Sequence, residues 1–239
     1  IYRVEGLGRV ENLLDLYVVD VDGTSVARLT DDPWMVTKPV WLPDGSGLVY
    51  VSALEPDSID PVGTTRVVGI DGTQREFLST RDGPRGLLTM AFAPDGRAVF
   101  VEKVPKGSNY ATPGTVWVVD GDGRNPVHRT PSFEDGHILG DVQGDVPVGG
   151  WASTSPVLVA DDSSAVYAPI QRGGEVHIHR IALDGAEDLT PVTSGPRCCI
   201  PLARRGERLL FLSGTMDRPP DLHLLDGATE RRLTDLNDT

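Results

Sequence analysis

Apolar residues in this chain fall in short alternating runs rather than at helical spacing. Leu13–Asp20, Gly47–Val51, Arg66–Ile70, Ala98–Val101, Thr115–Asp120, Ala165–Ala168, Glu175–Leu183 and Arg208–Leu212 are runs of strand length. Their boundaries are rich in Gly, Pro, Asp and Ser, as expected where strands give way to turns. With 27 glycines and 19 prolines spread along the sequence, no long amphipathic helical pattern survives between them. The predicted class is all-β.

The runs recur as units. LYVVDVDGTSVARLT (Leu16 to Thr30) is followed by PVWLPDGSGLVYV (Pro39 to Val51), and RVVGIDGTQREFLS (Arg66 to Ser79) by MAFAPDGRAVFV (Met90 to Val101). A third unit pairs VWVVDGDGRNPVHRT (Val116 to Thr130) with PVLVADDSSAVYA (Pro156 to Ala168). A fourth pairs VHIHRIALDGAEDLT (Val176 to Thr190) with LARRGERLLFL (Leu202 to Leu212), and LHLLDGATERRLT (Leu222 to Thr234) opens a fifth.

Each unit has the same turn chemistry. Asp22-Gly23, Asp71-Gly72, Asp122-Gly123 and Asp184-Gly185 sit between two strands, where a tight hairpin needs positive φ. A Leu-Thr step closes the hairpin at Leu29-Thr30, Leu78-Ser79, Leu189-Thr190 and Leu233-Thr234. A second turn, Pro43-Asp44-Gly45 or Pro94-Asp95-Gly96, precedes a strand ending in Tyr50, Phe100, Tyr167 or Phe211. A gapless overlay sets Val40–Asp44 on Val157–Asp161 and Tyr50 on Tyr167. Arg205-Gly206 stands where Asp44-Gly45 does. Apolar positions persist while turn residues drift, as expected where packing between neighbours carries stability.

A four-stranded repeat of this period predicts a β-propeller section with about four blades. Residues 1–239 read as one domain, with blades near 13–55, 64–104, 114–170 and 174–214 and the start of another at 220–239. Ile1–Gly6 reads as the last strand of an earlier blade, so a larger propeller is expected. Asp57–Thr65 and Val104–Pro113 read as connections between blades. The third unit carries an insertion between Thr130 and Pro156 with His137, Asp141, Asp145 and Trp151.

Charge narrows the partners. A net charge of −13 argues against nucleic acid and anionic membrane surfaces, and no apolar run is long enough to span a bilayer. A cytoplasmic location is the expectation. The two cysteines, Cys198 and Cys199, are adjacent, and alternation sends them to opposite faces of a strand as reduced thiols.

The candidate chemistry is sparse. His177 and His179 share a strand face; a metal would need a third ligand that nothing in the sequence points to, so a solvated or hydrogen-bonded pair is expected. Asp31-Asp32 and Asp161-Asp162 lie in turns that favour Asp for local backbone bonding. Arg197, Arg204 and Arg205 lie on or near a blade loop, where they could hold a carboxylate, although solvated arginines are the expectation in an acidic protein. No G-x-S-x-G elbow, phosphate loop or H-E-x-x-H helix occurs. No residue is assigned a catalytic, metal or cofactor role, no cofactor is expected, and substrate-binding residues stay unassigned.

The units LYVVDVDGTSVARLT…PVWLPDGSGLVYVSALEPD and PPDLHLLDGATERRLTDLND resemble the propeller repeats of the acylaminoacyl-peptidase branch of the prolyl oligopeptidase family. The Gly140-Asp141-Val142 region also has a counterpart there. TolB-like propellers share the same grammar. The resemblance implies a non-catalytic section of a serine peptidase, gating short peptides to a C-terminal α/β-hydrolase domain that would hold the Ser-Asp-His triad. That domain and short peptides are the implied partners, and homo-oligomerisation is left open. The alternative is a TolB-like scaffold that binds protein partners.

Overall fold

A computed structural model of the chain describes residues 14–31, 36–53, 63–78, 83–84, 88–102, 113–138 and 157–236. These form strands and turns, with no helix among the described residues. A hairpin comes first, β1 (Tyr17–Val19) with β2 (Val26–Arg28). Blade I follows as β3 (Val36–Trp41), β4 (Gly47–Ala53), β5 (Gly63–Gly69) and β6 (Gln74–Glu76). Blade II is β7 (Leu88–Phe92), β8 (Ala98–Glu102), β9 (Thr115–Val119) and β10 (Val127–His128).

In blade III the first strand comes in two pieces, β11 (His137–Ile138) and β12 (Leu158–Val159), both paired with β13 (Ala165–Arg172). Then come β14 (Glu175–Ala182) and β15 (Leu189–Pro191). Blade IV is β16 (Cys198–Arg205), β17 (Arg208–Thr215), β18 (Arg218–Asp226) and β19 (Thr229–Arg232), and a single parallel bridge, Val176↔Cys198, joins it to blade III. The first strands of successive blades approach one another, β3 to β7, β7 to β12 and β12 to β16. They therefore line the axis on which the blades converge, the arrangement of a β-propeller.

The period of the repeat holds, but the sheets are phased half a unit later than the units read from sequence. Each PDG-type run opens a blade, and the Asp-Gly hairpin after it closes the same blade, so sheets run from β3 to β6 rather than over 13–55. Leu222–Thr234 therefore completes blade IV, through the β17–β18 ladder from Arg208↔Asp226 to Thr215↔Arg218. It does not begin a fifth blade. Leu16–Thr30 is instead the outer pair of an earlier one. The stretches Asp57–Thr65 and Val104–Pro113 likewise link strands inside one sheet, β4 to β5 and β8 to β9. Ile1–Gly6 lies outside the described residues.

The core sits between blades. Leu16, Leu29, Leu48, Tyr50 and Val68 join the first hairpin to blade I. Val49, Val67, Phe77, Ala98 and Phe100 join I to II. Val99, Val101, Val116 and Val118 meet Val166, Ala168, Ile170 and Ile181 between II and III. Ile178, Cys199, Leu209 and Phe211 join III to IV. Strand alternation presents one apolar face to each neighbour, so a blade is stabilised from both sides.

Blade III departs from the gapless overlay by one residue. The turn between first and second strands carries a left-handed residue at Gly45 (φ 72°), Gly96 (φ 90°) and Ser163 (φ 60°). Each of these donates its N–H to the carbonyl three residues back, at 2.9 Å. Ser163, not Asp162, thus matches Gly45, and Ala168 rather than Tyr167 matches Tyr50. A one-residue shift reverses the faces. Tyr167 accordingly packs toward blade IV, whereas Tyr50, Phe100 and Phe211 face the preceding element.

Candidate functional site

The longest interruption of an axis-lining strand among the described residues lies in blade III. Ile138 pairs with Ile170, and Leu158 with Tyr167, on the edge of β13 that faces away from β14. Residues 139–156 are therefore inserted within an axis-lining strand, not between blades. Both stems are anchored, since Ile138 and Val157 are buried in the core between blades II and III. His137 belongs to the anchor and pairs with Gln171. Asp141, Asp145 and Trp151 lie outside the described residues.

The first strands of blades I and IV are broken differently. The β3 ladder shifts between Thr37 and Val40, with Lys38 at φ 54°, and the β16 ladder between Pro201 and Ala203. Pro39 and Pro201 stand there because proline has no N–H to give and is tolerated at a bulge or a free edge.

The histidine pair is structural. His177 Nε2 donates to Glu175 Oε2 at 3.0 Å, and its Nδ1 lies 3.3 Å from Thr193 Oγ1. His179 Nδ1 donates to the His177 carbonyl at 3.0 Å, and burial holds its imidazole below the usual pKa. No group of three metal-ligating side chains occurs among the described residues.

Two of the three arginines are already engaged. Arg197 donates to both carboxylate oxygens of Glu230, at 2.6 and 2.8 Å, and to the Ser194 carbonyl at 2.8 Å. His223 Nδ1 shares Glu230 Oε1 at 2.9 Å. Arg204 lies over the Tyr167 ring, 4.7 Å from its centroid, and 3.7 Å from Asp161. Arg205 is exposed on an open hollow with Gly206, Glu207, Arg208 and Asp226.

The paired aspartates serve turns. Asp162 Oδ1 accepts the Ser164 N–H at 3.0 Å, and Asp161 Oδ2 accepts the Gly206 N–H of blade IV at 2.7 Å. Asp31 pairs with Arg28, and Asp32 lies outside the described residues. Cys198 and Cys199 are buried free thiols in different clusters, and burial pushes both thiol pKa values up.

Sequence reading missed two devices. The Leu-Thr step is a bracket, in which the threonine hydroxyl accepts a strand N–H that would otherwise lack a partner. Thr30 takes Leu16 N–H at 2.9 Å, Thr130 takes Val116 at 3.0 Å, Thr193 takes Ile178 at 3.0 Å and Thr234 takes Leu222 at 3.0 Å. In blade III the bracket is Thr193, and Thr190 instead donates to Asp188. Asp15 and Asp221 extend the bracket by accepting from Thr30 and Thr234 and from Arg28 and Arg232. His177 occupies the equivalent place in blade III, one residue before Ile178. The second device is a polar latch between II and III, where Arg129 donates to the Gly185 carbonyl at 2.9 Å and Ser132 N–H to Glu187 at 2.9 Å.

No family model matches the chain. Solved structures do match its fold. The acylaminoacyl peptidase of Pyrococcus horikoshii covers 93% of the chain with TM-score 0.64 at 18% identity. The fold is a β-propeller section. The β-propeller domain of the trilobed protease of Pyrococcus furiosus also covers 93%, with TM-score 0.62 at 17% identity. TolB of Acinetobacter baumannii covers 92%, with TM-score 0.58 at 18% identity. In sequence, 79 residues are 37% identical to the peptidase YuxL of Bacillus subtilis, over 33% of this chain. The chain spans 12% of YuxL, 30% of the acylaminoacyl peptidase, 62% of the trilobed-protease propeller and 48% of TolB. In fold, the chain thus resembles the propellers of these peptidases and of TolB alike.

Proposed function

We propose that this propeller section is the non-catalytic, entry-restricting part of a serine peptidase, admitting short peptides to an α/β-hydrolase domain on the same polypeptide. The observation that carries the reading is the combined likeness to peptidases, a stretch of YuxL sequence and the propeller fold of acylaminoacyl peptidase. One local feature fits it. The insertion at 139–156 interrupts a strand on the axis, where an entry restriction belongs. A cytoplasmic setting is compatible with two buried free thiols.

The test is labelling of the full polypeptide with a fluorophosphonate probe. Stoichiometric labelling outside residues 1–239 is expected, with hydrolysis of short blocked peptides. No labelling would favour the second reading, a scaffold for protein partners, which rests on the likeness to TolB.

A further inference from the structure

An Asp-Gly step is open to spontaneous rearrangement, because glycine has no side chain to shield the amide nitrogen from the neighbouring carboxyl. The chain holds ten such steps, nine of them with both residues described. Eight of the nine are restrained. Asp22, Asp44, Asp71, Asp95 and Asp122 each accept, through Oδ1, the N–H two residues on. The glycine N–H of each of these pairs donates to the carbonyl three residues back. Asp120 accepts from Asn125 Nδ2 at 2.7 Å, Asp184 is gripped by Arg97, and Asp226 accepts from Arg208 at 3.0 Å.

Asp135-Gly136, in the bend between β10 and β11, is the exception. The Asp135 carboxylate is 93% exposed, and Arg172 Nε lies 3.8 Å from its Oδ2. Among the described residues it accepts no hydrogen bond, and the Gly136 N–H donates none. Gly136 has φ 121°, and a Cβ there would meet the Gln171 carbonyl oxygen at 2.6 Å. The fit of this bend against β13 thus requires glycine, and the reactive pair comes with it. Arg172 Nε donates to the Asp135 carbonyl oxygen at 2.5 Å, and its guanidinium lies 5.3 Å over the Phe133 ring. A charged donor on that carbonyl stabilises the negative oxygen that develops as the Gly136 amide loses its proton.

We propose that Asp135-Gly136 is a self-modification site at which isoaspartate forms in the folded protein, assisted by Arg172. The Gly136 nitrogen gives its proton to solvent and bonds to Cγ of the protonated Asp135 carboxyl, whose hydroxyl leaves as water. Water then opens the cyclic imide. Opening at the former main-chain carbonyl leaves the Gly136 nitrogen on Cγ, so the backbone runs through Cβ and the α-carboxylate becomes the side group. One water leaves and one returns, and nothing is oxidised or reduced. The product lengthens the backbone by one carbon at the stem of the insertion, beside the His137↔Gln171 pair. This inference rests on local chemistry and not on any enzymatic role.

Ageing the full polypeptide at neutral pH tests it, with isoaspartate at each of the nine pairs read by peptide mapping and by methyl transfer from an isoaspartyl methyltransferase. A sample aged in urea gives the rate of each pair without the fold. Relative to its own rate in urea, Asp135 in the folded protein should form isoaspartate about 10-fold or more faster than any of the other eight. Arg172→Met keeps an unbranched side chain beside Phe133 and removes the donor, and should slow the reaction at Asp135 several-fold. Isoaspartate spread evenly over the nine pairs, or led by another of them, would overturn the site. An equal or faster rate at Asp135 in Arg172→Met would overturn the assistance by Arg172.

Discussion

Arg97 of blade II grips Asp184 of blade III through two parallel bonds, Nη1 to Oδ1 at 2.8 Å and Nη2 to Oδ2 at 3.0 Å. The same guanidinium donates to the Ser163 carbonyl at 3.1 Å, and Ser163 Oγ accepts the Asp95 N–H at 3.0 Å. One side chain thus ties the second blade to two turns of the third. Asp184 is well exposed, so Arg97→Ala should cost only about 1 kcal/mol in urea unfolding. The Arg97 hydrogen bond holds the Asp184 carboxyl below its usual pKa. This part of the stability is therefore present above about pH 4 and lost as pH falls through the folded value. Stability equal to the parent at neutral pH would show that the bridge does not couple the blades.

Gly123 and Gly45 separate strain from crowding. Both have positive φ, 87° and 72°. A Cβ at Gly45 would meet nothing, whereas one at Gly123 would overlap the Phe77 carbonyl oxygen of blade I. Gly45→Ala should cost about 1–2 kcal/mol, and Gly123→Ala more than about 3 kcal/mol because the blades must also separate. Equal losses in chemical denaturation would contradict the close approach of blades I and II.

The threonine brackets predict a buried-partner penalty. Thr193→Val keeps the shape and strands the Ile178 N–H, at about 1–2 kcal/mol. Thr190→Val, on the exposed threonine that sequence spacing favoured, should be nearly neutral. The opposite order would place the bracket where the repeat, rather than the structure, puts it.

Asp221 supplies a pH signature for the last blade. Its carboxylate is 3% exposed and accepts from Thr234 Oγ1 at 2.7 Å, Leu236 N–H at 3.3 Å and Arg232. The Thr234 bond above all holds its pKa below the usual value. A depressed carboxylate stabilises the fold above about pH 4 and ceases to as it protonates in the native state. Asp221→Asn should lower stability at neutral pH and flatten the fall below pH 4. An unchanged acid slope would show that this carboxylate does not titrate with the fold.

Much of the fold is legible in the residues, and the misses have physical causes. The Asp-Gly pairs and PDG turns mark hairpins because positive φ restricts the residue type. A period has no intrinsic starting point, however, so the cut between blades could not be read until β17 was seen to pair with β18. In blade III the left-handed position is Ser163 rather than glycine. Without that marker a gapless overlay aligns Tyr167 with Tyr50, one residue out of register.

The face that Tyr167 occupies is testable. Arg204 stacks on Tyr167, so a double-mutant cycle between Tyr167→Ala and Arg204→Ala should show coupling of about 0.5–1 kcal/mol. A cycle between Tyr167→Ala and Val99→Ala should be additive within about 0.5 kcal/mol. Coupling to Val99 instead would return Tyr167 to the blade II side.

The role of the insertion is tested most directly by the longest peptide that the full polypeptide hydrolyses, measured across a series of lengths, before and after residues 140–155 are replaced by a short glycine linker. Entry restriction by the propeller predicts that the shortened protein cleaves longer peptides while kcat/KM for the shortest is preserved. An unchanged length limit, with short-peptide turnover intact, would contradict a gating role for these blades.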